Sequence, residues 1–460
     1  MKKGIFLLLA NCIIMFSACQ SDIEKADNLR LENKFEEAAE LYQQLADEGD
    51  AYAKWCLANA YSNGDGVDFD RSKELELLKQ AADEGCEEAK CDLAFAYMFG
   101  WYDEIGKDSL KGKEMLEELV KNSSNSYVMS KYAYLFLIGD PPYEENKEKA
   151  IRILNKINDK DNSFYNYAMG YVYLNGTDDI EINVEKAIEY LTKSFNNGIR
   201  ISAHLIQGIY AKGYGDVKKD IKKQLEWIKR GIEANGTSCM IDMSNICLSE
   251  DSTYKEYNNP QRGVELLKRA ARNGSSQALF ILGNFYNSGE HLPKDDKKAF
   301  ENWEKSAQLK DPNGLTNLAY AYLEGIGCEK DVRKAVELYK KAANNGSGFS
   351  ANLLYSVYYY GKYGVKIDRE MAKRYLLKAV ELNEPWGYYN LGNAYFNGDM
   401  VDKSIEQAFV YIKKAADLGL VDACESIAYF YENGMGCDKD PNKAKEYRDK
   451  TIASDDKKKE

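Results

Sequence analysis

The chain keeps rewriting one short stretch, and that recurrence constrains its fold more than any other feature. LAYAYLEGIGCEKD occupies Leu318 to Asp331, LANAYSNGDGVDFD occupies Leu57 to Asp70, and IAYFYENGMGCDKD occupies Ile427 to Asp440. Aligned on the tyrosine three residues before the loop glycine, the register returns at Tyr61, Tyr97, Phe136, Tyr173, Tyr210, Cys247, Tyr286, Tyr322, Tyr358, Tyr395 and Tyr431. Successive steps run from 36 to 39 residues. A period of this size means stacked supersecondary units, none of which can bury its apolar face alone.

Each period reads as two helices. The first ends in Leu-Ala/Gly-x-x-Tyr. The second is clearest in DRSKELELLKQAADEG (70–85), NVEKAIEYLTKSFNNG (183–198) and DVRKAVELYKKAANNG (331–346). In the last of these, Val332, Ala335, Val336, Leu338, Tyr339, Ala342 and Ala343 follow helical spacing, and a glycine closes the helix as a left-handed cap would. Only seven prolines, all scattered, leave such segments free to be helical. The expected fold is all-α: an α/α superhelical solenoid of about eleven helix-pair repeats over residues 35–451, followed by a charged tail at 452–460.

The string from Leu318 to Ala343 resembles the Sel-one-like repeat, a relative of the tetratricopeptide repeat. Leu318, Ala319, Tyr322, Gly325, Gly327, Asp331, Lys334, Ala335, Tyr339, Lys341, Ala342 and Ala343 match its pattern, and Cys328 stands where the family has Val. Repeats two, three and six are degenerate; in the sixth, Cys247 replaces the tyrosine and the loop Ser249 to Pro260 is enlarged. The resemblance implies a superhelix that holds protein partners without catalysis, with its first helices lining the concave side.

Placed on a helix at about 100° per residue, Leu318, Ala319, Ala321 and Tyr322 fall on one arc and Tyr320 lies about 200° from Leu318, opposite it. The equivalents of Tyr320 are Asn59, Phe95, Tyr134, Tyr171, Gly208, Asn245, Asn284, Ser356, Asn393 and Tyr429. Seven residues earlier on the same face stand Tyr52, Tyr127, Phe164, Phe349 and Trp386. Asn amides pair with the backbone of an extended peptide, and rings supply contact area at low entropic cost. This stripe is the candidate partner surface. The same groups could stack on sugar rings or simply pack against the neighbouring first helix.

The N-terminus is a separate object. Lys2 and Lys3 precede the apolar run Gly4 to Phe16, followed by Ser17-Ala18-Cys19. The segment has a secretory signal's charged start and short apolar core. It resembles a bacterial lipoprotein signal, with Phe16 where that family usually has Leu. The resemblance implies cleavage after residue 18, a lipidated Cys19, a short linker at 19–34, and residence in the cell envelope. Gln20 in place of Asp implies the outer membrane.

Charge and chemistry narrow the function further. Lys plus Arg total 62 against 74 Asp plus Glu, a formal charge of −12 with no basic stripe, which argues against nucleic acid. Two histidines, His204 and His291, leave little room for metal or triad chemistry. No CxxC or Cys/His cluster suggests a metal, and no motif implies a cofactor. After Cys12 and Cys19, eight cysteines remain: Cys56, Cys86, Cys91, Cys239, Cys247, Cys328, Cys424 and Cys437. They are expected as buried thiols, with Cys86–Cys91 the first choice for an isolated bridge. A cysteine-rich branch of the resembled family includes members described as binding or cleaving β-lactams. Ser252-Thr-Tyr-Lys255 spells S-x-x-K, but no K-T-G follows it. The leading expectation is therefore a non-catalytic envelope lipoprotein that binds protein or peptide partners. A glycan- or peptidoglycan-binding lipoprotein is the alternative, and a β-lactamase-like hydrolase a distant third.

Overall fold

The computed structural model describes residues 22–456. The expected signal segment and Cys19 lie outside the described residues. The chain divides into two compact units, Met1–Ala278 and Leu279–Glu460.

In the first unit α1 covers residues 22–31, followed by α2 (Phe35–Asp47). Helix pairs then succeed one another: α3 (Ala51–Asn63) and α4 (Arg71–Asp83), α5 (Glu87–Phe99) and α6 (Ser109–Asn122), α7 (Ser126–Ile138) and α8 (Lys147–Leu154). They continue with α9 (Ser163–Asn175) and α10 (Val184–Asn196), α11 (Ile201–Lys212) and α12 (Ile221–Glu233), α13 (Thr237–Leu248) and α14 (Pro260–Arg272). Helix α15 (Ser276–Ser288) opens the second unit, with α16 (Asp296–Gln308), α17 (Pro312–Glu324), α18 (Val332–Asn344), α19 (Gly348–Tyr360) and α20 (Arg369–Glu381). It ends with α21 (Pro385–Asn397), α22 (Ile405–Asp417), α23 (Val421–Asn433) and α24 (Pro441–Asp456). The all-α solenoid of helix pairs is as the sequence predicts. The linker expected at 19–34 is corrected from residue 22 onward. Helix α1 buries Ala26 completely and accepts a hydrogen bond on Asp27 from the Tyr42 hydroxyl (2.6 Å), so it belongs to the fold.

The recurrent fourteen residues now have a local cause. Every second helix from α4 to α24 begins at an Asp, Asn or Ser whose side chain accepts from the backbone N–H three residues on, at 2.9–3.1 Å. Such a cap contributes about 1 kcal/mol. In all eleven repeats the N–H of that same residue donates to the carbonyl of the register residue, Tyr322 for Asp331 and Cys247 for Asn259, at 2.8–3.1 Å. One residue thus closes the loop and starts the next helix. From each cap to the next register residue the chain counts 27 residues, with a single 28 between Asp108 and Phe136. Apart from that one residue the loop does the stretching, from nine residues between Tyr322 and Asp331 to twelve between Cys247 and Asn259. The varying period is therefore a varying loop on a fixed helical unit.

The two loop glycines of the motif differ in duty. Gly325 caps α17 in the left-handed region (φ +78°), where glycine carries no Cβ penalty. Gly327 (φ +67°) lies against the first turn of α16, where a Cβ would collide with the Asp296 carbonyl. The lysine three residues past the cap has a partner too. Lys334 lies 4.3 Å from the Tyr322 ring centroid and donates to its hydroxyl (2.6 Å), and Lys111 lies 3.8 Å from the Tyr97 centroid. Each such contact contributes about 0.5–1 kcal/mol. Small residues set the packing: Ala335, Ala342, Ala343 and Ala351 are fully buried, and α18 wedges against α17 and α19 through them.

The candidate binding face

Successive first helices pack on one another, α3 on α5, α5 on α7, α7 on α9, α11 on α13 and α19 on α21, which makes them the inner layer of each unit. The expected stripe lies on this layer, and the two units treat it differently.

In the first unit the stripe is largely built into the structure. Phe95 is buried, so the expectation that its position points away from the core fails there: the ring packs against Phe99 (5.7 Å between centroids) and Trp101 (6.3 Å), with Lys131 Nζ of α7 4.4 Å from its centroid. Tyr52, Asn59, Tyr127, Tyr134, Phe164 and Tyr171 are half-buried, and only Asn245 is exposed. Rings meet rings: Tyr127 on Phe164 (5.9 Å between centroids), Tyr134 on Phe164 (5.9 Å) and on Tyr171 (5.5 Å). Beneath them sits a carboxylate that sequence reasoning missed. Asp92 accepts from Trp55 Nε1 (2.7 Å), Tyr127 Oη (2.8 Å) and Lys131 Nζ (2.6 Å). Burial pulls the Lys131 ammonium down, but the Asp92 carboxylate outweighs it and the net shift is upward. Burial, then Asp92, drives the Tyr127 hydroxyl far up, so it stays a neutral donor.

The same unit closes a turn on itself. Asp65, in the loop after α3, pairs with Arg200 and accepts from Asn235 Nδ2 (2.9 Å). Asn235 in turn accepts from Asn273 Nδ2 (2.7 Å) and Arg269 Nη2 (3.0 Å). The first repeat thereby touches the ends of α10, α12 and α14. Inside lies a cavity of about 420 Å³ lined by Arg30, Tyr42, Tyr52, Trp55, Asn59, Tyr127 and Arg200 among others. Three stripe residues, Tyr52, Asn59 and Tyr127, line it.

In the second unit the stripe stands open. Tyr320 is 45% exposed, Phe349 52%, Trp386 38% and Tyr429 54%. Asn393 is half-buried. Asn284 has become structural, accepting from Trp303 Nε1 (3.1 Å) and Asn317 Nδ2 (2.6 Å).

The missed residues follow a rule. Five and six positions before the register residue, polar side chains link neighbouring first helices: Trp55 to Asp92, His204 to Asp242 (2.6 Å), Asn390 to Asn352 (2.8 Å) and Tyr389 to Ser426 (3.2 Å). The signal was present in Lys131, a charge in the middle of the apolar SYVMSKYAYLFLI. The eight cysteines of the described residues are free thiols. Free thiols are as expected, and Cys86–Cys91, the first choice for an isolated bridge, is not formed; Cys86 Sγ donates to Glu88 Oε2 (3.4 Å), and Cys91 is fully buried within α5. Burial pushes the Cys86 thiol up to about 12 and raises those of Cys56 and Cys91 as well, which removes the thiolate a nucleophile would need. Ser252 and Lys255 are exposed on a 3-10 turn (Ser252–Tyr257) that Tyr254 fastens to Gln224 Oε1 (2.8 Å). Among the described residues no group of His, Cys, Asp and Glu is placed to hold a metal, and no helix is long and apolar enough to cross a membrane.

Comparison with known proteins agrees with this architecture. The chitin synthase regulator SKT5 of Saccharomyces cerevisiae is 30% identical over 43% of this chain and 30% of its own length. Cytochrome c oxidase assembly factor 7 of Xenopus tropicalis is 30% identical over 35% of this chain and 72% of its own. The chain thus spans between about a fifth and a third of the length of the fungal regulators it matches. Among solved structures, the Escherichia coli protective antigen c5321, which displays an SLR fold, is 22% identical over 90% of each chain with a TM-score of 0.42. The Sel1 repeat model matches residues 31–50, 51–86, 87–122, 126–162, 163–199, 208–236, 238–275, 276–311, 312–347, 350–384, 387–420 and 421–448. With eleven capped helix pairs, one fixed helical unit and this nearly continuous match, the chain belongs to the Sel1 repeat family.

Proposed function

We propose that the protein is a non-catalytic adaptor, lipid-anchored through Cys19 in the cell envelope, that gathers protein partners on the inner face of its second unit. The observation that carries the reading is the set of exposed rings on the inner layer: Tyr320, Phe349, Trp386 and Tyr429. A folded chain that leaves aromatic groups open along one face of successive first helices has a surface suited to docking. The regulators and the assembly factor among its relatives support an adaptor role.

Two measurements test the proposal. Replacing Cys19 with Ala should move the protein into the soluble fraction and abolish labelling by a fatty-acid probe; continued labelling sinks the anchor. Partners captured from membrane extract by the wild-type mature chain should be lost on combined Tyr320→Ala, Asn393→Ala and Tyr429→Ala substitution. Undiminished capture by that variant sinks the docking face.

A further inference from the structure

The partner's chemistry is written in the charge of the inner layer. The five first helices of the second unit, α15, α17, α19, α21 and α23, contain no Lys, Arg or His. They carry four carboxylates: Glu324, Asp422, Glu425 and Glu432. The second helices hold the cations instead, among them Lys297, Lys334, Lys340, Arg369, Lys378, Lys413 and Arg448. In the first unit the segregation is broken by Lys54, Lys90, Lys131 and Lys212. The second unit therefore presents an inner face of open rings, amides and carboxylates with no side-chain cation of its own.

The terminal first helix sharpens the point. Asp422, Glu425 and Tyr429 are all exposed, at spacings of three and four that place them on one face of α23. Glu432 is taken up by Arg448, and Glu324 lies 3.8 Å from Lys330. Asp422 and Glu425 form no direct ion pair among the described residues, although Glu425 lies within electrostatic reach of Arg448. Tyr389 of α21 meets Ser426 of α23 (3.2 Å), which sets Trp386, Tyr389 and Asn393 on the row beside Asp422, Glu425 and Tyr429. The fold itself pairs cations with such rings: the Arg369 guanidinium lies 3.7 Å from the Tyr359 centroid.

We infer that the inner face of the second unit binds a basic peptide segment, with Lys or Arg side chains seated over its open rings and answered by Asp422 and Glu425. This rests on the adaptor reading and names its partner's chemistry. An extended segment carries its own backbone donors and acceptors to the amides, and its cations meet both ring faces and free carboxylates. An acidic segment would meet carboxylates with Arg448 the nearby cation, already engaged by Glu432, so the face discriminates by repulsion as well as attraction.

The test exposes the full mature chain to an array of twelve-residue peptides of randomised sequence. Bound peptides should be enriched in Lys and Arg at least about twofold over the array. Replacing both carboxylates, Asp422→Asn with Glu425→Gln, should lower binding of the best peptide about tenfold, since each exposed charge or ring contact is worth about 0.5–1 kcal/mol. Raising salt from 50 to 500 mM should weaken it in the same direction. Enrichment in Asp and Glu, no enrichment, or carboxylate variants that bind as well as wild type overturns the inference. So does saturable binding of a neutral oligosaccharide on the same face with no basic peptide selected. Partners captured through Tyr320, Asn393 and Tyr429 but not displaced by the best basic peptide would overturn this inference while leaving the adaptor reading intact. Capture independent of those three residues would remove the adaptor reading itself.

Discussion

The inner layers of the two units use the same register positions for opposite purposes. In the first, Phe95 is buried, Tyr127, Tyr134 and Phe164 pack ring on ring, and Asp92 and Lys131 form an ion pair beneath them. In the second, Tyr320, Phe349, Trp386 and Tyr429 stand open and the layer has no cation. Position within the repeat does not decide this; what approaches the position does. Where Asp65 closes on Arg200 across 135 residues, the inner layer lines a cavity and its buried polar groups find partners inside the unit. In the second unit the same rings remain surface. A repeat scaffold thus makes core or docking face from one pattern.

The comparison breaks most severely at the buried ion pair. Lys131→Ala should strand the Asp92 carboxylate, whose side chain is about as buried as its partner's, and cost about 3–5 kcal/mol in denaturant unfolding. The double replacement Asp92→Leu with Lys131→Met should be less damaging than the single, because no uncompensated charge remains. Equal damage from both would mean that packing, not charge, holds this layer together.

The closure comes next. Asp65 is 6% exposed and serves both Arg200 and Asn235, so Asp65→Ala leaves the half-buried Arg200 without its carboxylate and buried Asn235 Nδ2 with only the Gly64 carbonyl at 3.4 Å. A loss of about 1–3 kcal/mol is expected. Hydrogen exchange should quicken in α1, α2 and the 196–200 loop, while amides of α17 to α24 keep their rates. Unchanged exchange around residue 200 would show that the turn stays closed without this contact.

A smaller effect depends on pH. The hydrogen bond to Asp242 raises the His204 pKa above its usual value, with burial opposing and losing. A raised folded-state pKa means that the protonated form supports the fold. The contribution is full below the unfolded histidine value of about 6.5 and disappears as pH rises through the higher folded value. The wild-type denaturation midpoint should therefore fall between pH 6 and 8 by more than that of His204→Gln. Parallel curves for the two proteins would remove His204 from the stability of the first unit.

What could be read from sequence follows from the range of each interaction. The caps, the loop glycines and the Tyr–Asp–Lys pattern act within about a dozen residues, so Asp331, Gly325 and Lys334 announce their roles locally. A helical wheel placed Phe95 and Tyr320 on one side of their helices. It could not tell what lies opposite, because the contact of Asp65 with Arg200 depends on curvature summed over several repeats. The row that joins Trp55 to Asp92 and His204 to Asp242 was hidden for another reason: its members vary in chemistry from repeat to repeat and match only as neighbouring pairs. Helix α1 escaped notice because it lacks the repeat's own signature.

The smallest expected effect on stability sharpens the comparison most. Tyr320, Asn393 and Tyr429 lie on the open face, and two of the three are about half exposed. Converting all three to Ala should leave helicity unchanged and cost no more than about 0.5 kcal/mol each, as exposed substitutions usually do. The equivalent truncation in the first unit, Phe95→Ala with Tyr127→Ala, removes a buried ring and a donor to Asp92, and should cost several kcal/mol. The control within the second unit is Tyr322→Ala. That ring is 9% exposed and meets Phe300 edge-on at 5.4 Å, so its loss should cost about 3–5 kcal/mol. If the open-face triple variant melts as early as Tyr322→Ala, those rings are core in solution and the distinction between the two inner layers collapses. If it melts with wild type, the second unit keeps aromatic surface that its own fold does not require, and that surplus is what a partner would use.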